Sequence, residues 1–259
     1  MWPYPRVIAH RGGGTLAPEN TLAGFLCGME HGYRAVEFDV MLTADEVPVL
    51  MHDARFGRTV AGSGEVAAHS AQELLAMDAG SWVAARFTGV TVPSLEQALS
   101  FCQENGIWMN VEIKPSAPAV AARTGAMAAS VVAARFAAHI GGDPAALPLL
   151  SSFAEEALAA AREAAPGIPR ALLVDAIPAD WRERLVRLDA VALHVNQARL
   201  TAPLAAEIKG AGYGLFCYTV NDVARADEIL SWGVDGFCTD RIDVIGSDFA
   251  DSAAMRIGN

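Results

Sequence analysis

The sequence predicts an α/β fold, a TIM (β/α)8 barrel, on three observations. Strand-like runs begin near residues 6, 35, 108, 147, 170, 190, 214 and 235, and helical patterns fill most of the intervals. Strand-then-helix units of this length imply parallel strands, and eight is the number that closes such a barrel. The chain has 259 residues, 53% of them apolar, which suits one large core and a single domain over residues 1–259. Finally, polar residues collect where the strands end, the side on which such barrels carry their sites. A doubly wound sheet is the alternative, but nothing in the pattern marks a topological switch point.

The first strand, Arg6 to Ala9, runs into His10-Arg11-Gly12-Gly13-Gly14, a loop whose backbone can approach a ligand closely. It does not match a dinucleotide-binding glycine pattern in its context. Pro18-Glu19-Asn20-Thr21 starts a helix with Asn20 or Thr21 as cap and Leu22, Phe25, Leu26 and Met29 on one face. The second strand holds Val36-Glu37-Phe38-Asp39-Val40. Period-2 geometry places Glu37 and Asp39 on one face, about 7 Å apart. The next strand-like run, Pro48-Val49-Leu50-Met51-His52-Asp53, follows too soon for a parallel crossover, which needs a dozen residues or more. It is therefore the returning arm of a hairpin, and it brings His52 back towards Glu37 and Asp39.

Residues from about 53 to 93 break the pattern and read as a small insertion. It contains a short helix capped at Ser70 with Glu73 in the capping-box position. Ser94 and Gln97 form another capping box, opening a helix that ends at Gly106. The strand from Trp108 to Lys114 puts Glu112 and Lys114 on one face. An Ala-rich helix near 119–139 follows. The last helices open at Thr201 with Pro203 and at Asp222.

Strand ends carry the chemistry. Glu37, Asp39 and Glu112 come from adjacent strands and offer an all-oxygen donor set, which suits Mg2+ or Ca2+ better than zinc. Arg11 and Lys114 beside such a cation make sense if an anion such as phosphate occupies the pocket. His10 and His52 have the ordinary pKa for acid and base work near neutrality. Together these residues suggest metal-assisted phosphoester cleavage. His194 shares the strand-end position but reads as structural, and His31, His69 and His139 read as solvated.

The totals exclude other classes. Nineteen basic residues against 30 acidic give a net charge of −11, with no basic stripe for nucleic-acid phosphates. The four cysteines, Cys27, Cys102, Cys217 and Cys238, form no C-x-x-C and read as buried free thiols rather than a disulfide framework. The N-terminal residues lack an apolar core before the first strand, and no run of about 18 uncharged apolar residues occurs. A cytoplasmic protein is expected.

The motifs Ala9-His10-Arg11-Gly12, Pro18-Glu19-Asn20-Thr21, Glu37-Phe38-Asp39, His52-Asp53, Glu112-Ile113-Lys114-Pro115, Tyr218-Thr219-Val220-Asn221 and Cys238-Thr239-Asp240 occur in this order. In this the chain resembles the glycerophosphodiester phosphodiesterases over essentially its whole length. It is most similar to the cytoplasmic bacterial enzymes associated with glycerol-3-phosphate uptake, the Asp243-Val244-Ile245-Gly246 stretch included. The resemblance implies a TIM barrel that hydrolyses glycerophosphodiesters to sn-glycerol 3-phosphate and an alcohol. It also implies Glu37, Asp39 and Glu112 as ligands of a divalent cation, Mg2+ or Ca2+. His10 and His52 match the acid–base pair, and Arg11 and Lys114 the phosphate contacts. Phe216-Cys217-Tyr218 departs from the pattern, since many members have tryptophan before Thr-Val-Asn. Two rivals remain: a lysophospholipid- or phosphoinositide-cleaving enzyme of the same barrel, and a non-catalytic barrel binding a phosphorylated metabolite. The first needs a membrane-binding basic helix or anchor, which the sequence lacks, and no stable membrane association is expected. The second would fit a chain missing one of the two histidines.

Overall fold

In the computed structural model, which describes residues 2–252, strands and helices alternate around a closed cylinder. The strands are β1 (Val7–Ala9), β2 (Ala35–Leu42), β3 (Pro48–Leu50), β4 (Trp108–Ile113), β5 (Leu149–Ser152), β6 (Arg170–Val174), β7 (Ala192–Asn196), β8 (Gly214–Tyr218) and β9 (Gly236–Thr239). All but β3 pair in parallel in the order β1-β9-β8-β7-β6-β5-β4-β2, and β2 closes the ring on β1. That seam has a single register pair, Ala9 with Val36, whereas β1 and β9 share three. The eight-stranded barrel is thus present as the strand count predicts.

β3 is the expected hairpin arm. It lies antiparallel on β2 with Val40 opposite Leu50, and the Met51 amide donates to the Asp39 carbonyl at 3.2 Å. The ladder fixes how far the arm returns, so it determines where His52 emerges. The segment after it has its own small core of Met41, Val49, Met51, Val60, Val66, Leu74, Ala79 and Val92. Its short helix α2 (Ala71–Leu74) starts at Ser70 with the capping box complete.

The helices around the cylinder are α1 (Leu22–Glu30), α3 (Leu95–Glu104), α4 (Ala121–Arg135), α5 (Glu155–Ala164), α6 (Trp181–Leu188), α7 (Ala202–Gly210) and α8 (Val223–Ser231). The structure narrows some expectations and corrects others. Thr21 alone caps α1, by accepting from the Gly24 amide; Asn20 takes a positive φ of 56° and turns elsewhere. Leu26 is 48% exposed, because the helix buries Gly24, Phe25 and Gly28 against the barrel instead. The Ala-rich helix stops at Arg135, and a short 3-10 turn, Ala137–His139, completes the segment. Among the cysteines, Cys27 is only half-buried, while the other three are buried; all four are free thiols.

Residues at the chain start plug the barrel floor. Trp2 stacks on Phe216 with ring centroids 5.8 Å apart, and Tyr4 meets Trp108 at 5.0 Å. Just above lies His194, fully buried, its ring 4.7 Å from that of Phe216. Its Nε2 has no hydrogen-bond partner among the described residues, and burial pushes its pKa down from 6.5 to about 3. The unfolded chain therefore binds a proton that the folded chain refuses between these two values. This contribution to stability is complete above pH 6.5 and falls as pH drops towards 3. At 1.36 kcal/mol per pH unit it costs about 3 kcal/mol by pH 4. Replacing His194 with leucine should shrink the loss of unfolding free energy between pH 7 and pH 4 by about that amount, read by urea titration. An unchanged difference would show that His194 does not sense acid.

Candidate active site

The loop after β1 begins the site. Arg11 has a φ of 52°, a left-handed conformation that costs a non-glycine residue about 1–2 kcal/mol. The turn aims the Arg11 amide at Glu37 Oε2, 3.2 Å away on the adjacent strand. Gly14 has a φ of 53°, and a Cβ there would lie 2.1 Å from the Asp240 carbonyl oxygen. Only glycine lets the residues after β9 come this close, and their approach delivers the Asp240 carboxylate to His10. His10 Nδ1 and Asp240 Oδ1 are 2.6 Å apart. Asn221 braces the carboxylate, donating from Nδ2 to Asp240 Oδ2 at 2.9 Å and accepting the Asp240 amide on Oδ1 at 2.8 Å. With Nδ1 engaged, Nε2 is the nitrogen left for chemistry, and it points at Glu37 Oε2 from 3.7 Å.

Glu37 and Asp39 share the inward face of β2, and Asp39 pairs in register with Glu112 on β4. The three residues are 4%, 1% and 9% exposed respectively, so their charges are largely removed from water. Each offers an oxygen within 4.8 Å of the others, the one such group of potential metal ligands among the described residues. Burial, then repulsion by Asp39, pushes the carboxyls of Glu37 and Glu112 above the usual range. Burial also opposes ionisation of Asp39, but Lys114, Arg11, His52 and the hydrogen bond from Asn20 together hold this carboxyl low. Lys114 Nζ lies 3.4 Å from Asp39 Oδ1 and 3.5 Å from Glu112 Oε1; Arg11 Nε lies 3.4 Å from Asp39 Oδ2. Asn20, freed from capping by its positive φ, completes the cradle of Asp39. It donates to Oδ2 at 2.8 Å and accepts the Asp39 amide at 3.0 Å.

Two cations thus face three carboxylates, and Glu37 Oε1 is buried with no hydrogen-bond partner among the described residues. An acid left unpaired in this way is costly unless positive charge joins it. The all-oxygen donor set therefore fits a hard divalent cation held by Glu37, Asp39 and Glu112.

His52 emerges from the hairpin arm close enough to Asp39 for that carboxylate to act on its pKa. Desolvation dominates and lowers the imidazole below its ordinary value, with the pull of Asp39 opposing. Its Nδ1 is 2.6 Å from Asp53 Oδ1, the same arrangement as His10 with Asp240. The structure therefore gathers all seven residues singled out in the sequence: His10, Arg11, Glu37, Asp39, His52, Glu112 and Lys114. His194 lies apart from them in the floor. Sequence reasoning gave Asp240, Asp53 and Glu19 no role and Asn20 only that of a possible helix cap, although each stands in one of the motifs. A cavity of about 370 Å³ opens beside Glu112 and Lys114, walled by Pro115, Pro118, Ala121 and Phe153.

A barrel with carboxylates, cations and two oriented imidazoles at the carboxyl ends of its strands has the makings of a hydrolase for anionic esters. The glycerophosphoryl diester phosphodiesterase family model matches residues 10–244. YhdW of Bacillus subtilis is 30% identical over 93% of this chain and 97% of its own. The glycerophosphodiester phosphodiesterase of Caldanaerobacter subterraneus subsp. tengcongensis is 29% identical, covering 90% and 93%. Among solved structures, an Oleispira antarctica phosphodiesterase in complex with the product sn-glycerol-3-phosphate superposes with a TM-score of 0.84 at 35% identity, covering 97% of each chain. The chain belongs to the glycerophosphoryl diester phosphodiesterase family, and with it to the phosphoric diester hydrolases. No helix among the described residues is long and apolar enough to cross a membrane.

Proposed function

We propose that the chain hydrolyses glycerophosphodiesters to sn-glycerol 3-phosphate and an alcohol, as one catalytic domain with residues 53–93 as its insertion. The observation that carries this reading is the pair of imidazoles, each held through Nδ1 by a carboxylate 2.6 Å away, beside the buried acidic cluster. Such pairing leaves Nε2 of each ring free to move a proton. The product complex of the Oleispira antarctica relative lends support to the substrate class.

In this mechanism Arg11 and Lys114 balance the charge of the phosphate oxygens. A divalent cation on Glu37, Asp39 and Glu112, Mg2+ or Ca2+, would supply Lewis acidity and charge compensation when bound. His10 takes the proton from the attacking oxygen, which is either a water or the glycerol 2-hydroxyl, the latter giving a cyclic phosphate that water then opens to sn-glycerol 3-phosphate. His52 gives a proton to the departing alcohol oxygen. The cavity beside Glu112 and Lys114 has room for an organic group of the ester. By this reading the substrates are free, water-soluble diesters. Purified protein given glycerophosphocholine should release sn-glycerol 3-phosphate in the presence of Mg2+ or Ca2+, and should act far less on lysophosphatidylcholine. A preference for the lysolipid would overturn the substrate assignment.

A further inference from the structure

Arg58 belongs to the irregular segment after β3, and nothing in the mechanism above uses it. Its guanidinium nevertheless makes three short hydrogen bonds to two carboxylates. Nε donates to Asp53 Oδ2 at 2.6 Å, while Nη1 and Nη2 donate to Glu19 Oε2 and Oε1 at 2.6 and 2.7 Å. Each of those carboxylates also holds a residue of the site. Asp53 Oδ1 sits 2.6 Å from His52 Nδ1, and Glu19 Oε1 accepts from Arg11 Nη1 at 2.9 Å. Arg11 in turn reaches Asp39. The result is one unbroken path, His52–Asp53–Arg58–Glu19–Arg11–Asp39, that arches from the hairpin arm to the loop after β1.

The backbone around Arg58 is built to hold it there. The Phe56 amide bonds the Gly64 carbonyl and the Gly57 amide the Val60 carbonyl, while Val60 and Val66 are buried in the small core. Arg58 itself is 45% exposed, and exposed ion pairs contribute about 0–1 kcal/mol to folding. Stability is therefore a weak reason for so specific a fork. Geometry offers a better one. A guanidinium presents its Nε edge to one carboxylate and its paired Nη groups to another, which a lysine ammonium cannot do.

We infer that Arg58 is a positioning residue that pins Asp53 and Glu19 at once, and so sets the ring of His52 and the guanidinium of Arg11 for the reaction. This rests on the reading of His52 as general acid and Arg11 as phosphate contact. Without Arg58, Asp53 keeps one partner and can swing, carrying the imidazole out of line with the leaving oxygen. Glu19 loses a bidentate partner, and Arg11 becomes less fixed. Turnover and substrate binding then both suffer, although Arg58 touches neither substrate nor reacting atoms.

The test compares Arg58→Met and Arg58→Lys with wild type on two glycerophosphodiesters. One is glycerophosphocholine, whose alcohol departs poorly without a proton. The other carries p-nitrophenol, which departs as a stabilised phenolate and needs little help from an acid. Arg58→Met is expected to lower kcat on the choline ester by up to about 10²-fold, the scale of a small misplacement of a reacting group. It should spare kcat on the nitrophenyl ester, raise KM for both, and leave the thermal midpoint near that of wild type. Arg58→Lys should not restore the choline-ester rate. Equal losses on the two esters, or wild-type kinetics, would overturn the inference. His52→Ala run alongside separates the two claims. If His52→Ala loses no more on the choline ester than on the nitrophenyl ester, the general-acid reading fails. If His52→Ala discriminates and Arg58→Met does not, only the role of Arg58 fails.

Discussion

His52→Ala is expected to fold as wild type and to lose about 10²–10⁴-fold in turnover of a glycerophosphodiester, the usual cost of removing one partner of an acid–base pair. His10→Ala should do the same. Both rings lie at the barrel mouth and are partly exposed, so truncation opens no cavity in the core. Each is engaged through Nδ1 by an aspartate, which leaves that aspartate less well paired in the variant. Asp53 retains Arg58 and Asp240 retains Asn221, so neither carboxylate is stranded. Circular dichroism and the thermal midpoint check the fold, and release of sn-glycerol 3-phosphate checks the rate. Near-wild-type turnover in either variant would remove that histidine from the mechanism.

Chelation has the second large effect. EDTA should abolish activity, and Mg2+ or Ca2+ should restore it. A cation binding only the folded state also stabilises it, by about 2.7 kcal/mol at a hundred times its dissociation constant. The thermal midpoint should therefore rise with added metal in the absence of any substrate. Glu37→Ala should blunt both responses, because it removes one of three oxygen donors. If EDTA leaves the wild-type protein fully active, the metal assignment is wrong.

Much of this was legible in the sequence because it is local. Alternation places Glu37 and Asp39 on one face, and a loop too short for a crossover forces the hairpin that returns His52. Both follow from spacing along one short segment. The partners of the histidines were harder to see for different reasons. Asp240 reaches His10 across 230 residues, and only the closeness allowed by Gly14 brings them together. Asn20 looked like a helix cap, since its residue type is a good one. The positive φ that turns its side chain to Asp39 is a property of the folded loop. Leu26 follows the helical apolar period yet faces outward, because two glycines in α1 let the helix lie on the barrel through Phe25. Arg58 lies in an irregular stretch where no period assigns a face to any residue.

The cylinder is zipped most lightly between β1 and β2, where Ala9 and Val36 form the only register pair. Other links across that gap are made by the site itself, from the Arg11 amide to Glu37 and from Asn20 to Asp39. The working end of the protein is therefore also the clasp of its ring. Segments with few ladder bonds open first, so breathing of the barrel should be concentrated here. A ligand gripped jointly by Arg11, Glu37 and Glu112 would fasten the clasp, and its arrival would be felt as slower amide exchange along both strands. Occupancy of the site would thus steady the ring at its thinnest seam.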